Sequence, residues 1–182
     1  MFLRRGNNLW YFGAGLLGPL FAVFTENIGG DVLEISWLWA VFLVTSGFLM
    51  IVVGKLSDKY FSKESLLILG YLLNFVSTVC YLFVSKPIHL LFVQIGFGIA
   101  TALATPTWDA LYSKYQEDKN SGFDWGLSEG EAVIITGVAM VFGGLLVDSF
   151  SFRALFLAMA MVQLASLAYV VWTVRLSRRV FA

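Results

Sequence analysis

The sequence predicts an all-α membrane protein with six transmembrane helices, and three observations lead to this prediction. The chain is 182 residues long and 59% hydrophobic, with a mean hydropathy of +0.81. Only 13% of its residues are charged, whereas a soluble domain usually carries about a quarter. Six runs lack Asp, Glu, Lys and Arg and are apolar on all sides, without the alternation of a barrel strand.

The six runs have roughly the length that a membrane-spanning helix needs, which is about twenty residues. The first run follows the basic segment MFLRR, as in a signal peptide, but it is too long and no A-x-A cleavage site follows. We therefore predict that it is a retained helix. The runs are Trp10–Thr25, Ile35–Gly54, Ser65–Ser85, Pro87–Trp108, Ala132–Val147 and Ala154–Val174.

The distribution of Lys and Arg predicts the orientation of the chain in the membrane. Ten of the 12 basic residues lie in the N-terminal segment, the second and fourth connections and the C-terminal segment. The outer connections hold only Lys86 and Arg153. This bias predicts a multi-pass protein of the cell membrane with both termini in the cytoplasm. The net charge of zero gives no indication of a nucleic-acid partner.

Two ten-residue segments resemble each other at an offset of ninety residues. GKLSDKYFSK, residues 54–63, follows the second run, and GLLVDSFSFR, residues 144–153, follows the fifth. Five positions agree in kind, as glycine, leucine, aspartate, aromatic and basic residues. The chain is therefore predicted to contain two three-helix repeats, about 9–85 and 87–175. Because three is odd, the second repeat would be inverted, which is typical of transporter folds.

The first of these segments resembles the signature loop of the major facilitator superfamily, which reads G-x-L-x-D-R-x-G-R-R between the second and third helices. A phenylalanine stands at the family's second glycine, and a serine replaces one basic residue. The segments DWGLSEG and FGGLLVDSFSFRALF are similar to the fifth and sixth helices of these transporters. The loop positions that match are Gly54, Leu56, Asp58, Lys59 and Lys63.

The segment GFGIATALATPTWDALYSKY is similar to the fourth helix of the same family. Phe92 stands where the family usually has an arginine. The Gly-Pro pair of the family's antiporter motif is absent from the fifth helix, which argues against antiport. The matching positions of the fourth helix are Gly96, Gly98, Ala102 and Pro106.

Members of this family have twelve helices in two six-helix halves, related by an axis along the membrane normal. This sequence has six predicted helices, an even number, so a second copy would insert in the same orientation. A twofold homodimer would then rebuild the twelve-helix bundle. The alternatives are a piece of a longer transporter and a half that pairs with a different half. The expected partners are the lipid bilayer, a small-molecule substrate and a second copy of the chain.

The resemblance implies that the 54–63 turn belongs to a latch that holds one access state. For Asp58 the alternative role is a helix cap, because a carboxylate near a helix start accepts hydrogen bonds from free backbone N–H groups. The residues expected to act in gating are Gly54, Asp58, Lys59 and Lys63, with Gly144, Asp148 and Arg153 in the second turn.

Ionisable side chains near membrane depth are costly and are therefore candidates for carrying a proton. Glu26 lies near the outer end of the first helix and Asp109 at the inner end of the fourth, and a solvated helix end is the alternative for each. The resemblance implies that the first and fourth helices line the substrate cavity. Few strong polar anchors stand among many aromatic residues, which favours an apolar or amphipathic solute. The cavity residues expected from the fourth helix are Gln94, Thr101 and Thr105.

The sequence favours secondary active transport by alternating access over two other functions. No ATP-binding G-x-x-x-x-G-K-[S/T] motif occurs, so an ion gradient, most simply of protons, is the expected driving force. The second function is a non-transporting assembly or regulatory partner derived from a transporter half. An intramembrane enzyme is not favoured, because the one histidine lies at a predicted membrane edge and no nucleophile elbow is predicted. No metal or cofactor is expected.

Overall fold

The computed structural model describes residues 2–114 and 121–180, and within these ranges the regular elements are all helical. Five helices are long and apolar enough to cross a membrane, and the bent pair α1 and α2 makes a sixth candidate span. The predicted all-α, multi-pass architecture is therefore confirmed. The helices are α1 (Phe2–Gly15), α2 (Leu20–Asn27), α3 (Val32–Lys59), α4 (Lys63–Cys80) with a 3₁₀ extension (Tyr81–Phe83), α5 (Pro87–Lys114), α6 (Ser121–Ser149) and α7 (Phe152–Val180).

The predicted first helix, Trp10–Thr25, is bent in the structure. The structure divides this run between α1 and α2, whose axes differ by 43°. Gly18 adopts φ +30, a left-handed conformation that costs glycine little because it has no Cβ. Pro19 follows and has no N–H to continue the helix. The predicted first helix is therefore divided at Gly18 and Pro19, and the bent pair is a candidate for the first span.

Side chains cap the starts of three helices. At α3, the N–H of Glu34 donates to Asp31 Oδ1 at 2.8 Å, and the N–H of Asp31 donates to Glu34 Oε2 at 3.1 Å. At α4, Ser62 Oγ accepts from the N–H of Ser65 at 3.3 Å, and at α7 Ser151 accepts from the N–H three residues on. Each cap satisfies backbone donors that have no partner inside the helix.

Most of the helix packing joins the first half of the chain to the second half. Helix α5 packs against α3 and α4, and helix α1 packs against α6 and α7. Helix α4 also packs against α7, whereas the sequential pairs α3–α4 and α6–α7 pack little against each other. The two halves of the chain therefore intercalate and form one bundle.

Two glycines allow close approach between these helices. A Cβ on Gly70 of α4 would lie 2.9 Å from the carbonyl oxygen of Ala100 in α5. A Cβ on Gly143 of α6 would overlap the carbonyl group of Leu16, which follows α1. Small residues at such positions bring helix backbones together in membrane bundles.

Two clusters of buried apolar side chains lie toward opposite ends of the bundle. In one, Phe156 of α7 packs edge-on against Phe24, with ring centroids 4.8 Å apart, and stacks on Tyr81 at 4.9 Å. In the other, Trp108 and Tyr112 at the end of α5 stack at 4.7 Å. The parts of α4, α5 and α7 between these clusters carry most of the polar side chains of the cavity described below.

Helices α3 and α6 are the least buried of the five long spans. Their outward faces are apolar, and Val44, Phe48, Val133 and Ile134 are each at least 68% exposed. In a bilayer such faces contact lipid or the helices of another protein.

Candidate functional site

A cavity of about 280 Å³ lies inside the bundle, with walls from α1 to α5 and α7. None of the residues that line it carries a formal charge at neutral pH. Its size is near the lower end of the range of about 300–1,000 Å³ that is typical of ligand pockets. The lining residues are Trp10, Tyr11, Ala14, Leu17, Gly18, Phe21, Trp39, Phe42, Asn74, Thr78, Tyr81, Gln94, Phe97, Thr101, Thr105, Met159 and Gln163.

Three carboxamide side chains line this cavity, one each from α4, α5 and α7. Asn74, Gln94 and Gln163 are only 2%, 3% and 2% exposed. Each has a buried polar atom without a hydrogen-bond partner: Nδ2 of Asn74, Nε2 of Gln94 and Oε1 of Gln163. A buried, unpaired polar group costs about 1–3 kcal/mol. Four other side chains with such an atom, Asn8, Trp108, Ser128 and Tyr169, do not line the cavity, so the feature that marks this site is the convergence of three amides on one cavity.

The structure fixes the orientation of the Gln163 amide. Its Nε2 donates to the backbone carbonyl of Trp10 at 3.1 Å, and a carbonyl oxygen is only an acceptor. The amide oxygen is therefore the free atom. Gly13 makes this contact possible, because a Cβ on Gly13 would overlap the Gln163 amide.

The cavity brings together three residues that the sequence predicts as substrate contacts, Gln94, Thr101 and Thr105. The sequence reasoning missed Asn74 and Gln163, which lie on the third helix of each predicted repeat. The signal was present, because each is an isolated amide in an otherwise apolar run. Only the packing of α4 against α7, however, places both in the same cavity.

Aromatic side chains form much of the remaining wall. Trp39 of α3 lies between Phe21 and Phe42, with ring centroids 5.8 and 5.6 Å away. On another side, Tyr81 and Phe97 lie 5.7 Å apart. These rings offer a flat apolar surface to the body of a bound molecule.

An acidic pair lies near the cavity, next to Tyr11. Asp109 of α5 is half-buried and lies within electrostatic range of Glu129 of α6, and both act on Tyr11. Neither carboxylate lines the cavity directly. Sequence analysis identified Asp109 but missed Glu129, which precedes the apolar part of α6. Glu26, the other predicted proton carrier, is exposed at the end of α2 and does not line the cavity.

At the first predicted gating turn, an ion pair joins α3 to α4. Lys63 Nζ lies 3.0 Å from Asp58 Oδ1, and the two side chains are 33% and 70% exposed. Asp58 lies in the last turn of α3, and Ser62 caps α4 instead, so the capping alternative for Asp58 is wrong. Lys59 is the last residue of α3, and the Cβ position of Gly54 faces open space.

The second predicted gating turn lacks this ion pair. Asp148 in the last turn of α6 and Arg153 in the first turn of α7 are both exposed and, among the described residues, form no ion pair with each other. Gly144 of α6 faces open space, as Gly54 does. The two turns are therefore alike in joining two helices and in having a serine cap on the second helix, but only the first has an ion pair across the turn among the described residues.

A third polar cluster, which the sequence analysis missed, joins α1 to α6. Arg4 Nε lies 3.2 Å from Glu131 Oε2, and Nδ2 of Asn8 donates to the same oxygen at 2.9 Å. The Arg4 and Glu131 side chains are 20% and 32% exposed, so solvent screens this pair less than the Asp58 pair.

The expectation that the sequence has no G-x-S-x-G elbow was wrong, because the pentapeptide GLSEG, residues 126–130, has that spacing, but its structure excludes serine-hydrolase chemistry. Such a serine acts from a sharp strand-to-helix turn. Ser128 is instead fully buried inside the continuous helix α6. His89 lies in the first turn of α5, where its Nδ1 accepts from the N–H of Ser85 at 3.2 Å. No group of three possible metal ligands occurs in the described part of the chain.

Two relatives of assigned family are similar to this chain. The uncharacterized MFS-type transporter MJ1560 of Methanocaldococcus jannaschii is 28% identical over 141 residues, covering 78% of this chain and 36% of the relative. The uncharacterized MFS-type transporter YitZ of Bacillus subtilis is 21% identical over 160 residues, covering 86% of this chain and 94% of that relative. The chain thus spans about a third of the first relative and nearly all of the second.

The family assignment rests on more than these two proteins. The sequence profile of the Major Facilitator Superfamily matches residues 6–180, nearly the whole chain. The family consists of membrane transporters rather than enzymes, and the apolar helices described above fit a multi-pass protein of this kind. The chain therefore belongs to the Major Facilitator Superfamily.

Proposed function

We propose that the protein carries out secondary active transport of a small amphipathic or apolar solute by alternating access. The observation that supports this proposal is the uncharged cavity with aromatic walls and three buried amides. A multiply charged solute would lose its hydration there without gaining a counter-charge, which is costly. An amphipathic solute would instead place its apolar part on the rings and its polar part near the amides.

We propose that two inverted three-helix repeats, about 9–85 and 87–175, form the chain, with both termini in the cytoplasm. The packing supports this proposal, because exchanging the repeats converts each packed pair into another. The contact of α1 with α6 corresponds to that of α5 with α3, and the contact of α1 with α7 to that of α5 with α4. The serine caps of α4 and α7 also correspond.

Two copies of the chain are proposed to assemble around a twofold axis into a twelve-helix transporter. In support, α3 and α6 are the least buried of the long spans and correspond to each other in the repeat proposal. The Cβ positions of Gly47 and Gly54 on α3, and of Gly137 and Gly144 on α6, face open space. Small residues on an outward face suit close packing with a second helix.

Cysteine crosslinking tests this assembly. The sole cysteine, Cys80, is exposed and would first be replaced by serine. In that background, Gly47→Cys and Gly137→Cys together should give covalent dimers in native membranes with a short bis-maleimide. Met161→Cys on α7, which is 68% exposed, is the control and should give few. Equal yields would contradict the proposed seam and favour a fragment of a longer transporter or a half with another partner.

For gating, we propose that the 54–63 turn stabilises one access state. The Asp58–Lys63 ion pair is exposed enough to exchange partners, since such pairs contribute about 0–1 kcal/mol. Lys59 would then offer a second cation to the same carboxylate. The turn at 144–153, with Gly144, Asp148 and Arg153, would act on the other side.

For coupling, Asp109 is the better-placed of the two predicted proton carriers. It is half-buried, and Glu129 of α6 lies within electrostatic range of it. Tyr11 links this pair to the cavity wall. Glu26 remains a candidate only for a step at the outer surface, because it is exposed.

Transport in proteoliposomes tests the function. Purified protein would be reconstituted with a pH-sensitive dye inside, and a panel of uncharged aromatic amides, alcohols and glycosides would be added outside. Proton-coupled uptake should acidify the interior and accumulate at least one solute above the level in protein-free vesicles. If no solute in the panel moves, a non-transporting partner role becomes the better explanation.

A further inference from the structure

We propose that the cavity recognises a neutral carboxamide, or an equivalent group with both an acceptor and a donor, through Asn74, Gln94 and Gln163. This inference rests on the proposed transport function, because it names the substrate class of the same cavity. The aromatic walls select for an apolar part of the solute, and the amides add the requirement that its polar part offers a defined hydrogen-bonding pattern.

The unpaired atoms define that pattern. Gln163 Oε1 is a fixed acceptor, whereas the amides of Asn74 and Gln94, whose unpaired atoms are Nδ2 and Nε2, are not oriented by any hydrogen bond within the described residues and can each offer a donor. A carboxamide is complementary to this set, because its oxygen has two lone pairs for the donors and its N–H group can donate to the acceptor. An ether or a ketone would leave Gln163 unpaired.

The acceptor role of Gln163 does not depend on an arbitrary choice of amide orientation. Its Nε2 is committed to the Trp10 carbonyl at 3.1 Å, which leaves Oε1 free. The side chain is 2% exposed, and Gly13 leaves room for it against α1. The acceptor is therefore held in place before a ligand binds, which reduces the entropy cost of binding.

The charges around the cavity disfavour an acid of the same shape. The lining residues include no cation to pair with a carboxylate. Tyr11 and Tyr81 are on the cavity wall, and the groups that act on Tyr11 from beyond it are carboxyl groups, Asp109 and Glu129, which offer no counter-charge to an anion. A carboxylate would also face the free oxygen of Gln163 instead of a donor.

Equilibrium binding tests the inference without requiring transport. 3-Phenylpropanamide and 3-phenylpropanoate have the same skeleton but end in a carboxamide and a carboxylate, and the acid contains no other amide. Isothermal titration of the protein in lipid nanodiscs at neutral pH should show at least about tenfold tighter binding of the amide. Trp10 and Trp39 in the wall provide a second readout by fluorescence. Equal or tighter binding of the carboxylate would overturn the inference.

Leucine variants test the individual amides. Asn74→Leu and Gln94→Leu should each weaken binding of the amide probe about tenfold, since a lost hydrogen bond leaves a ligand atom unpaired. Met161→Leu, on the exposed face of the same helix as Gln163 and outside the cavity lining, should change it less than about twofold. If Asn74→Leu and Gln94→Leu both bind the amide probe as tightly as the wild type, the proposal is wrong.

Thermal unfolding separates a binding role from a structural one. Replacing an unpaired buried amide by leucine removes an unsatisfied group, so Asn74→Leu and Gln94→Leu should keep or raise the Tm of the ligand-free protein. Amides that hold the bundle together would instead lower it on replacement. A clear loss of Tm in both variants would contradict the assignment of these groups to a ligand.

The two proposals fail in different ways. Tight, amide-selective binding without solute movement in proteoliposomes would contradict transport but support the amide site. Movement of solutes that lack an amide, with Asn74→Leu and Gln94→Leu as active as the wild type, would support transport and contradict the amide site.

Discussion

Replacing Gly143 by alanine should loosen the contact between α6 and the chain that leaves α1. An added Cβ would overlap the carbonyl group of Leu16, and the neighbour in this contact is backbone, which cannot rotate away. Overpacking of a well-packed interior costs about 1–3 kcal/mol, and a backbone contact places Gly143→Ala toward the upper end of that range. Because Gly143 is buried, α6 can relieve the overlap only by moving away from α1.

A matched variant on the same helix controls for the intrinsic effect of alanine. Gly126→Ala adds a methyl group that meets nothing within 4 Å, so it should stabilise α6 by up to about 1 kcal/mol through helix propensity. Both variants would be unfolded in mixed micelles by titration with a denaturing detergent, with helix content followed by circular dichroism. If Gly143→Ala proves as stable as Gly126→Ala, the close contact and the packing argument built on it are wrong.

Three further predictions concern charged groups. Asp58→Asn should change unfolding stability by less than about 1 kcal/mol, because its ion pair is exposed, yet it should slow solute exchange in proteoliposomes if the turn gates transport. A double-mutant cycle of Arg4→Gln and Glu131→Gln should give a coupling energy of about 1 kcal/mol, larger than that of the Asp58 pair, by the same unfolding assay. Asp109→Asn should abolish solute-driven acidification of vesicles while leaving solute counterflow measurable, and loss of both activities would argue against a coupling role.

The bundle could be predicted from the sequence because lipid imposes simple rules on a spanning chain. Backbone groups in the bilayer core must be satisfied within each segment, so long apolar runs become helices. All six runs form helical spans, and α3 ends at Lys59 within the predicted turn. The bend at Gly18 was not predictable in this way, because hydropathy records composition and not the φ angle of one residue.

The candidate site was predictable only in part, because a cavity is a property of packing. Gln94, Thr101 and Thr105 were found through a resemblance that assigns the fourth helix to the cavity. Glu129 was missed because its significance depends on its distance from Asp109 on the preceding helix, which only the packing of the bundle sets. Cys80 shows the converse: its apolar surroundings in sequence suggest burial, but it is exposed on the outside of α4.

The positions of the amides bear on how one cavity serves both sides of a membrane. Asn74 and Gln163 are 89 residues apart, close to the offset of ninety between the turns, and they lie on α4 and α7, which pack against each other. Under the repeat proposal these two helices exchange roles when the transporter changes its access state. The amides of Asn74 and Gln163 would lie near the axis that relates the two repeats, so they would keep similar positions relative to the solute in both access states. Thr101 and Thr105 lie on α5 alone, so their positions relative to the solute would change. Recognition by the amides would then be the same from whichever side the solute enters. We therefore expect Asn74→Leu to weaken the solute affinity by the same factor whether that affinity is measured from the inner or the outer face of the membrane.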